Sequence, residues 1–137
     1  MGKRIRADRV CLGVLLLLAA GTASAAAQQH VGCWQTSQDV RDYRQLCFMP
    51  DLRVHVSTFR TGSGGRCFAY PVPTAKLAGS RLTFDVAVGN GNCISKDGTA
   101  GNSVPGNFRC EFKGADTLVC ATAWQGWDPI DETYRRR

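Results

Sequence analysis

The sequence has only two histidines among its 137 residues, and neither His30 nor His55 adjoins an acidic side chain. A general base needs a proton partner held within hydrogen-bond reach, so His55 is read as a packed or surface strand residue, and His30 is expected in a loose start of the domain. Ser57 lies two residues beyond His55, but the surrounding residues make no nucleophile elbow. No C-x-x-C pair occurs, which argues against a compact zinc site and a redox motif. Asp97-Gly98 lacks the repeated oxygen ligands of a calcium loop. Val104 occupies the place where Asn102-Ser103 would need Ser or Thr to be a glycosylation site. No glycine-rich loop opens a helix to cradle phosphate. Amphipathic helical periodicity of about ten residues is missing beyond residue 25. The length excludes a large barrel enzyme or a two-domain oxidoreductase. No cofactor or metal is expected.

What is present begins with an address. Lys3, Arg4, Arg6 and Arg9 precede an apolar run from Val10 to Ala20, followed by Ala23-Ser24-Ala25. This order predicts a secretory signal peptide over residues 1–25, cleaved after Ala25 or alternatively after Ala27. The run is shorter than the roughly 20 apolar residues of a transmembrane helix. Cys11 falls inside the signal and is expected to be discarded with it.

The signal also accounts for much of the charge. The whole chain has Lys+Arg 17 and Asp+Glu 11, net +6. Removing the four signal cations and Asp8 leaves 13 basic and 10 acidic residues, net +3. Arg135, Arg136 and Arg137 supply that remainder, so the body is neutral. Residues 131–137 are expected to form a charged, solvated tail, able at most to touch an anionic surface weakly. The basic groups make no aromatic-laced patch in sequence, and nucleic acid is not an expected partner.

Six cysteines remain beyond the signal. An even count in a short exported chain predicts three disulfides. Phe108–Phe112 and Thr117–Ala121 read as two strands joined by the turn Gly114-Ala115-Asp116. Pairing Lys113 with Thr117 sets Phe112 opposite Leu118 and Cys110 opposite Cys120, within bridging distance. Cys33–Cys47 would staple a first hairpin, and Cys67–Cys93 follows by elimination. A periplasmic or secreted location is expected.

The body alternates apolar and polar residues in short runs. Arg81–Val88 is the clearest, with Leu82, Phe84, Val86 and Val88 sharing one face. Arg53–Phe59, Arg66–Tyr70, Gly32–Thr36 and Arg44–Phe48 add further strands, and Val40–Gln45 could hold one helical turn. Residues 96–107 read as a long polar loop. The expectation is one all-β domain over residues 26–130. It would be a small, antiparallel, disulfide-stapled up-and-down barrel or sandwich of about seven to eight strands.

Gly32-Cys33-Trp34 resembles the Gly-x-Trp opening of the first strand in calycin-like barrels, the group of lipocalins, avidins and some small bacterial inhibitors. The resemblance covers that tripeptide and the strand pattern of the body. It implies that Trp34 closes one barrel end and that an Arg from a late strand packs on it, with Arg109 as the candidate. The middle Cys33 and the short chain depart from the usual lipocalin.

Function is read as binding rather than catalysis. One expectation is an exported binding protein, an inhibitor of an envelope or secreted hydrolase, whose constrained loop at 96–107 or 61–65 enters a partner cleft. A second is a carrier holding a small ligand in a barrel cavity, and a third is a small secreted hydrolase. Candidate binding residues are Trp124 and Trp127, flanking Gly126, with Tyr70, Asn102 and Ser103. Tyr43 is read as either core or contact surface. Asp128, Asp131 and Glu132 are expected to belong to a solvated end.

Overall fold

A computed structural model of the chain describes residues 28–36, 42–60 and 64–137. The expected signal peptide and its cleavage point lie outside these residues. Among the described residues there is no helix, and none is long and apolar enough to cross a membrane.

Eleven antiparallel strands make one sheet. They are β1 Gly32–Thr36, β2 Asp42–Phe48, β3 Val54–Arg60, β4 Gly65–Phe68, β5 Lys76–Ala78, β6 Arg81–Val86, β7 Gly89–Ile94, β8 Ala100–Ser103, β9 Gly106–Phe112, β10 Thr117–Trp124 and β11 Ile130–Arg136. The sheet curls as a half-barrel in the order β5-β6-β9-β10-β11-β1-β2-β3-β4-β7-β8. The all-β, antiparallel, disulfide-stapled expectation holds, but the strand count exceeds the seven to eight expected.

Proline explains much of the excess. Pro105 follows β8, in register with the link between β6 and β7, where Val86 pairs with Gly106 and Gly89 with Ser103. With no N–H to donate, proline interrupts the ladder, and one long hairpin becomes β6–β7 and β8–β9. Val88 lies in this interruption between β6 and β7 and is exposed rather than buried with Val86. Pro71 and Pro73 likewise separate β4 from β5. The stretch between them stays on β3, since Ala69 N–H donates to Val56 O, Val54 N–H to Pro73 O and Ala75 N–H to Leu52 O.

The concave face carries the core. Alternation sends Trp34, Leu46, Phe48, Val54, Val56, Leu82, Phe84, Phe108, Phe112, Leu118 and Tyr134 inward, where all are buried. The rings pack in two groups, Trp34 with Phe112 and the series Phe48, Phe84, Phe108 and Trp124. Trp34 lies 5.4 Å from Phe112, Phe48 6.1 Å from Phe84, Phe84 4.5 Å from Phe108, and Phe108 5.5 Å from Trp124. This side of the sheet is filled by side chains.

All three expected disulfides are present: Cys33–Cys47, Cys67–Cys93 and Cys110–Cys120. Each joins directly opposed residues. The Phe112–Leu118 register is also as expected. Such bridges are consistent with an oxidising extracellular environment.

The solvated tail is overturned. Residues 130–136 form β11, paired on both edges with β10 and β1. Glu132, Tyr134 and Arg136 alternate with Asp131, Thr133 and Arg135, so the charges hide a strand with one buried face. Arg137 N–H donates to Cys33 O. The loop expected at 96–107 contains β8 and the start of β9, and Asp42–Gln45 is strand rather than helical turn.

Candidate functional site

Beside the packed interior, the sheet offers a depression on its opposite face. Tyr43 pairs in register with Phe59, Phe59 with Arg66, and Arg66 with Ile94. These four residues make one row across β2, β3, β4 and β7. Their inward neighbours are the row Arg44, Thr58, Cys67 and Cys93. The Tyr43 and Phe59 rings stack at 4.7 Å. The row, with Gly64, Gly65, Ser95, Lys96 and Gly98, lines a cavity of about 520 Å³.

Two chain reversals border this cavity: the end of the β3–β4 connection at Gly64 and the β7–β8 turn over 95–99. They touch, because a Cβ at Gly64 would stand 3.1 Å from Lys96 Cβ, and φ there is +65°. Glycine lets the Lys96 stem lie across the backbone. The Cys67–Cys93 bridge ties the strands beneath. Asn92 adds a second tie by donating to Phe68 O at 2.5 Å and to Ser103 Oγ at 2.7 Å.

The β7–β8 turn is built by its own polar residues. Ser95 N–H donates to Thr99 O, and Gly98 N–H to Ser95 O. Asp97 accepts from the Ser95 hydroxyl and from Thr99 N–H. The Ser95 and Thr99 hydrogen bonds lower the Asp97 pKa to about 2. A carboxylate depressed in the folded state adds stability above its unfolded pKa and loses it as pH falls through the folded value. The turn should therefore keep its hydrogen bonds from neutral pH down to about 4 and loosen as pH falls through about 2. An NMR titration of the Asp97 side chain, read with Thr99 amide exchange, checks this. A midpoint near 4 would contradict it.

The sequence candidates are dispersed. Trp127 is 71% exposed and Tyr70 72% exposed. Trp124, by contrast, is half-buried against the core. It lies over Gly106, where a Cβ would come within 2.5 Å of its ring, so only glycine fits. Ser103 bonds Asn92 within the sheet, and Asn102 is its exposed neighbour in β8. None of these five lines the cavity. The lining residues Phe59, Arg66 and Ile94 escaped notice because only cross-strand register unites them, whereas Gly64, Gly65, Lys96 and Gly98 fall within the nominated segments 61–65 and 96–107. Tyr43, left open between core and surface, is one of the row.

Two further residues depart from expectation. His30 is 3% exposed rather than loose. Glu132 belongs to no solvated end, since it meets Arg44 at 2.5 Å on the inner face. Burial works against the Arg44 charge, but Tyr134 and Glu132 outweigh it and raise its pKa. Burial, then the Glu132 charge, holds the Tyr134 hydroxyl well above the usual phenol range, so it remains a donor.

Among the described residues, no group of three His, Cys, Asp or Glu side chains is placed to hold a metal. His55 is exposed on β3 opposite Cys47. Compared with known proteins, the chain matches no family, no curated protein and no solved structure.

Proposed function

We propose that this is an exported, calycin-like barrel that acts by binding another protein, as an inhibitor of an envelope or secreted hydrolase would, through two joined turns. The carrying observation is the contact between Gly64 and Lys96 above the Cys67–Cys93 bridge. It sets Gly64, of the nominated segment 61–65 whose residues 61–63 lie outside the described ones, against Lys96 at the start of the nominated 96–107. A pre-ordered edge loses little conformational entropy on docking, which favours tight association.

The barrel reading rests on the pairing pattern. If β4–β5, β6–β7 and β8–β9 are each counted as one bent strand, eight long strands run up and down. Each then pairs with its neighbour, and β1 pairs with β11. Trp34 supports the calycin comparison. Arg136, not Arg109, stands over its ring, with Cζ 4.3 Å from the centroid. Arg109 faces outward, opposite Thr83 and Ala121. Binding at the edge is preferred over carriage because aromatic side chains fill the concave side.

The test is capture. The oxidised mature chain is immobilised and exposed to envelope and secreted proteins of its source cell. Shortening the β7–β8 turn, by replacing residues 95–99 with Asn-Gly, should cut recovery of the partner at least tenfold. Trp127→Ala should leave recovery unchanged. Equal recovery by the shortened variant sinks the loop reading. An eluted hydrolase should lose activity when the intact chain is added back.

A further inference from the structure

We infer that the cavity beside this edge takes an extended acidic segment of the partner, anchored by an apolar ring. The inference rests on the edge-binding reading and names the chemistry it recognises. Charge is the first argument. Arg66 and Lys96 both border the cavity and both are exposed. Among the described residues neither has a carboxylate partner, since the ion pairs involve only Arg44, Arg53 and Lys113. Asp97 is the nearest acid in sequence, and its carboxylate is engaged by Ser95 and Thr99. Two exposed cations thus stand over an apolar floor with no carboxylate in ion-pair contact among the described residues, the Arg66 guanidinium lying 5.6 Å from the Phe68 ring centroid.

Spacing is the second argument. Tyr43, Phe59, Arg66 and Ile94 stand on four adjacent strands, so the row spans three interstrand gaps, about 14 Å. An extended chain places side chains on one side roughly every 6.8 Å. Five extended residues therefore present three side chains along the row. A ring at the first would meet the stacked Tyr43–Phe59 pair. A carboxylate at the third would reach Arg66, and one at the fifth would reach Lys96 beyond Ile94. The volume of about 520 Å³ is in the range that holds a ligand of this size.

The experiment is a ¹⁵N NMR titration of the oxidised mature chain with acetyl-Phe-Ser-Glu-Ser-Glu-amide and its uncharged counterpart acetyl-Phe-Ser-Gln-Ser-Gln-amide. The acidic peptide should bind at least tenfold more tightly, with shifts centred on Phe59, Arg66, Ile94, Lys96 and Gly98. The pair Arg66→Gln and Lys96→Gln should remove that preference. Both side chains are exposed, so the variant should fold, and unchanged amide dispersion elsewhere verifies it. Equal binding of the two peptides, no binding, or shifts centred elsewhere each overturn the inference. So does a preference for phosphatidylglycerol vesicles over the acidic peptide. In the capture assay, a partner lost on shortening the turn but retained by Arg66→Gln/Lys96→Gln leaves the edge reading standing and removes this one.

Discussion

Trp34→Ala will lower the unfolding free energy by about 4 kcal/mol, as deletion of a fully buried large aromatic side chain does. Trp34 has no exposed surface and packs on Phe112. Its Nε1 donates to His30 O at 3.1 Å. The Arg136 guanidinium covers the ring and donates to Val31 O at 2.8 Å and Gln29 O at 2.5 Å. Three successive carbonyls, of residues 29, 30 and 31, are therefore held by one ring and one guanidinium. Removing the ring leaves a cavity, frees the His30 carbonyl and strips the cation of its aromatic support. Because domains of this size have about 5–15 kcal/mol in all, the variant should sit near the limit of folding. Trp34→Phe keeps the apolar body and should lose only about 2 kcal/mol. Urea unfolding of the oxidised protein measures both. A loss under about 1 kcal/mol for Trp34→Ala would show that this end of the sheet is held by other contacts.

The same clamp shows where the sequence was readable. Gly32-Cys33-Trp34 is local, and its resemblance to the calycin-like opening already gives Trp34 a closing role. Of the disulfides, Cys110–Cys120 was legible from hairpin register alone, whereas Cys67–Cys93, joining β4 to the distant β7, followed only by elimination. The partner of Trp34 was not legible. Arg136 lies among three terminal arginines, and charge there suggested solvent. What buries it is a set of backbone carbonyls more than 100 positions away. Pro71, Pro73 and Pro105 break strands in two while leaving the chain on course, an effect that local alternation does not show. The candidate groove was the least legible feature. Tyr43, Phe59, Arg66 and Ile94 carry no common motif, and only the register of four strands lines them up. The turn segments bordering them could be nominated, because glycine-rich and polar stretches mark reversals in any sheet.

Removing Glu132 should cost about 3 kcal/mol, through an ion pair that the terminal charges concealed. Arg44 and Glu132 have side chains 13% and 15% exposed and meet at 2.5 Å. Glu132 also accepts from the Tyr134 hydroxyl at 2.7 Å and from the Thr122 hydroxyl at 3.2 Å. Arg44 donates to Thr58 Oγ1 at 3.2 Å and lies over Trp124 at 4.8 Å. The carboxylate is the common acceptor of this cluster. Glu132→Leu would leave a largely buried guanidinium without its counter-charge, and two hydroxyls without an acceptor. Arg44→Met would strand the carboxylate instead, though Tyr134 and Thr122 would still donate to it, so its loss should be somewhat smaller. Combining Arg44→Met with Glu132→Leu removes both charges and restores apolar volume, so its loss should fall well below the sum of the two single losses, about 2 kcal/mol remaining because the buried Tyr134 and Thr122 hydroxyls still lack their acceptor. Urea unfolding of the four proteins closes the cycle. Additive losses in the double variant would refute the pairing. Recovery would locate the cost in the unpaired charge, and would show that β11 belongs to the core through Glu132 as well as Tyr134.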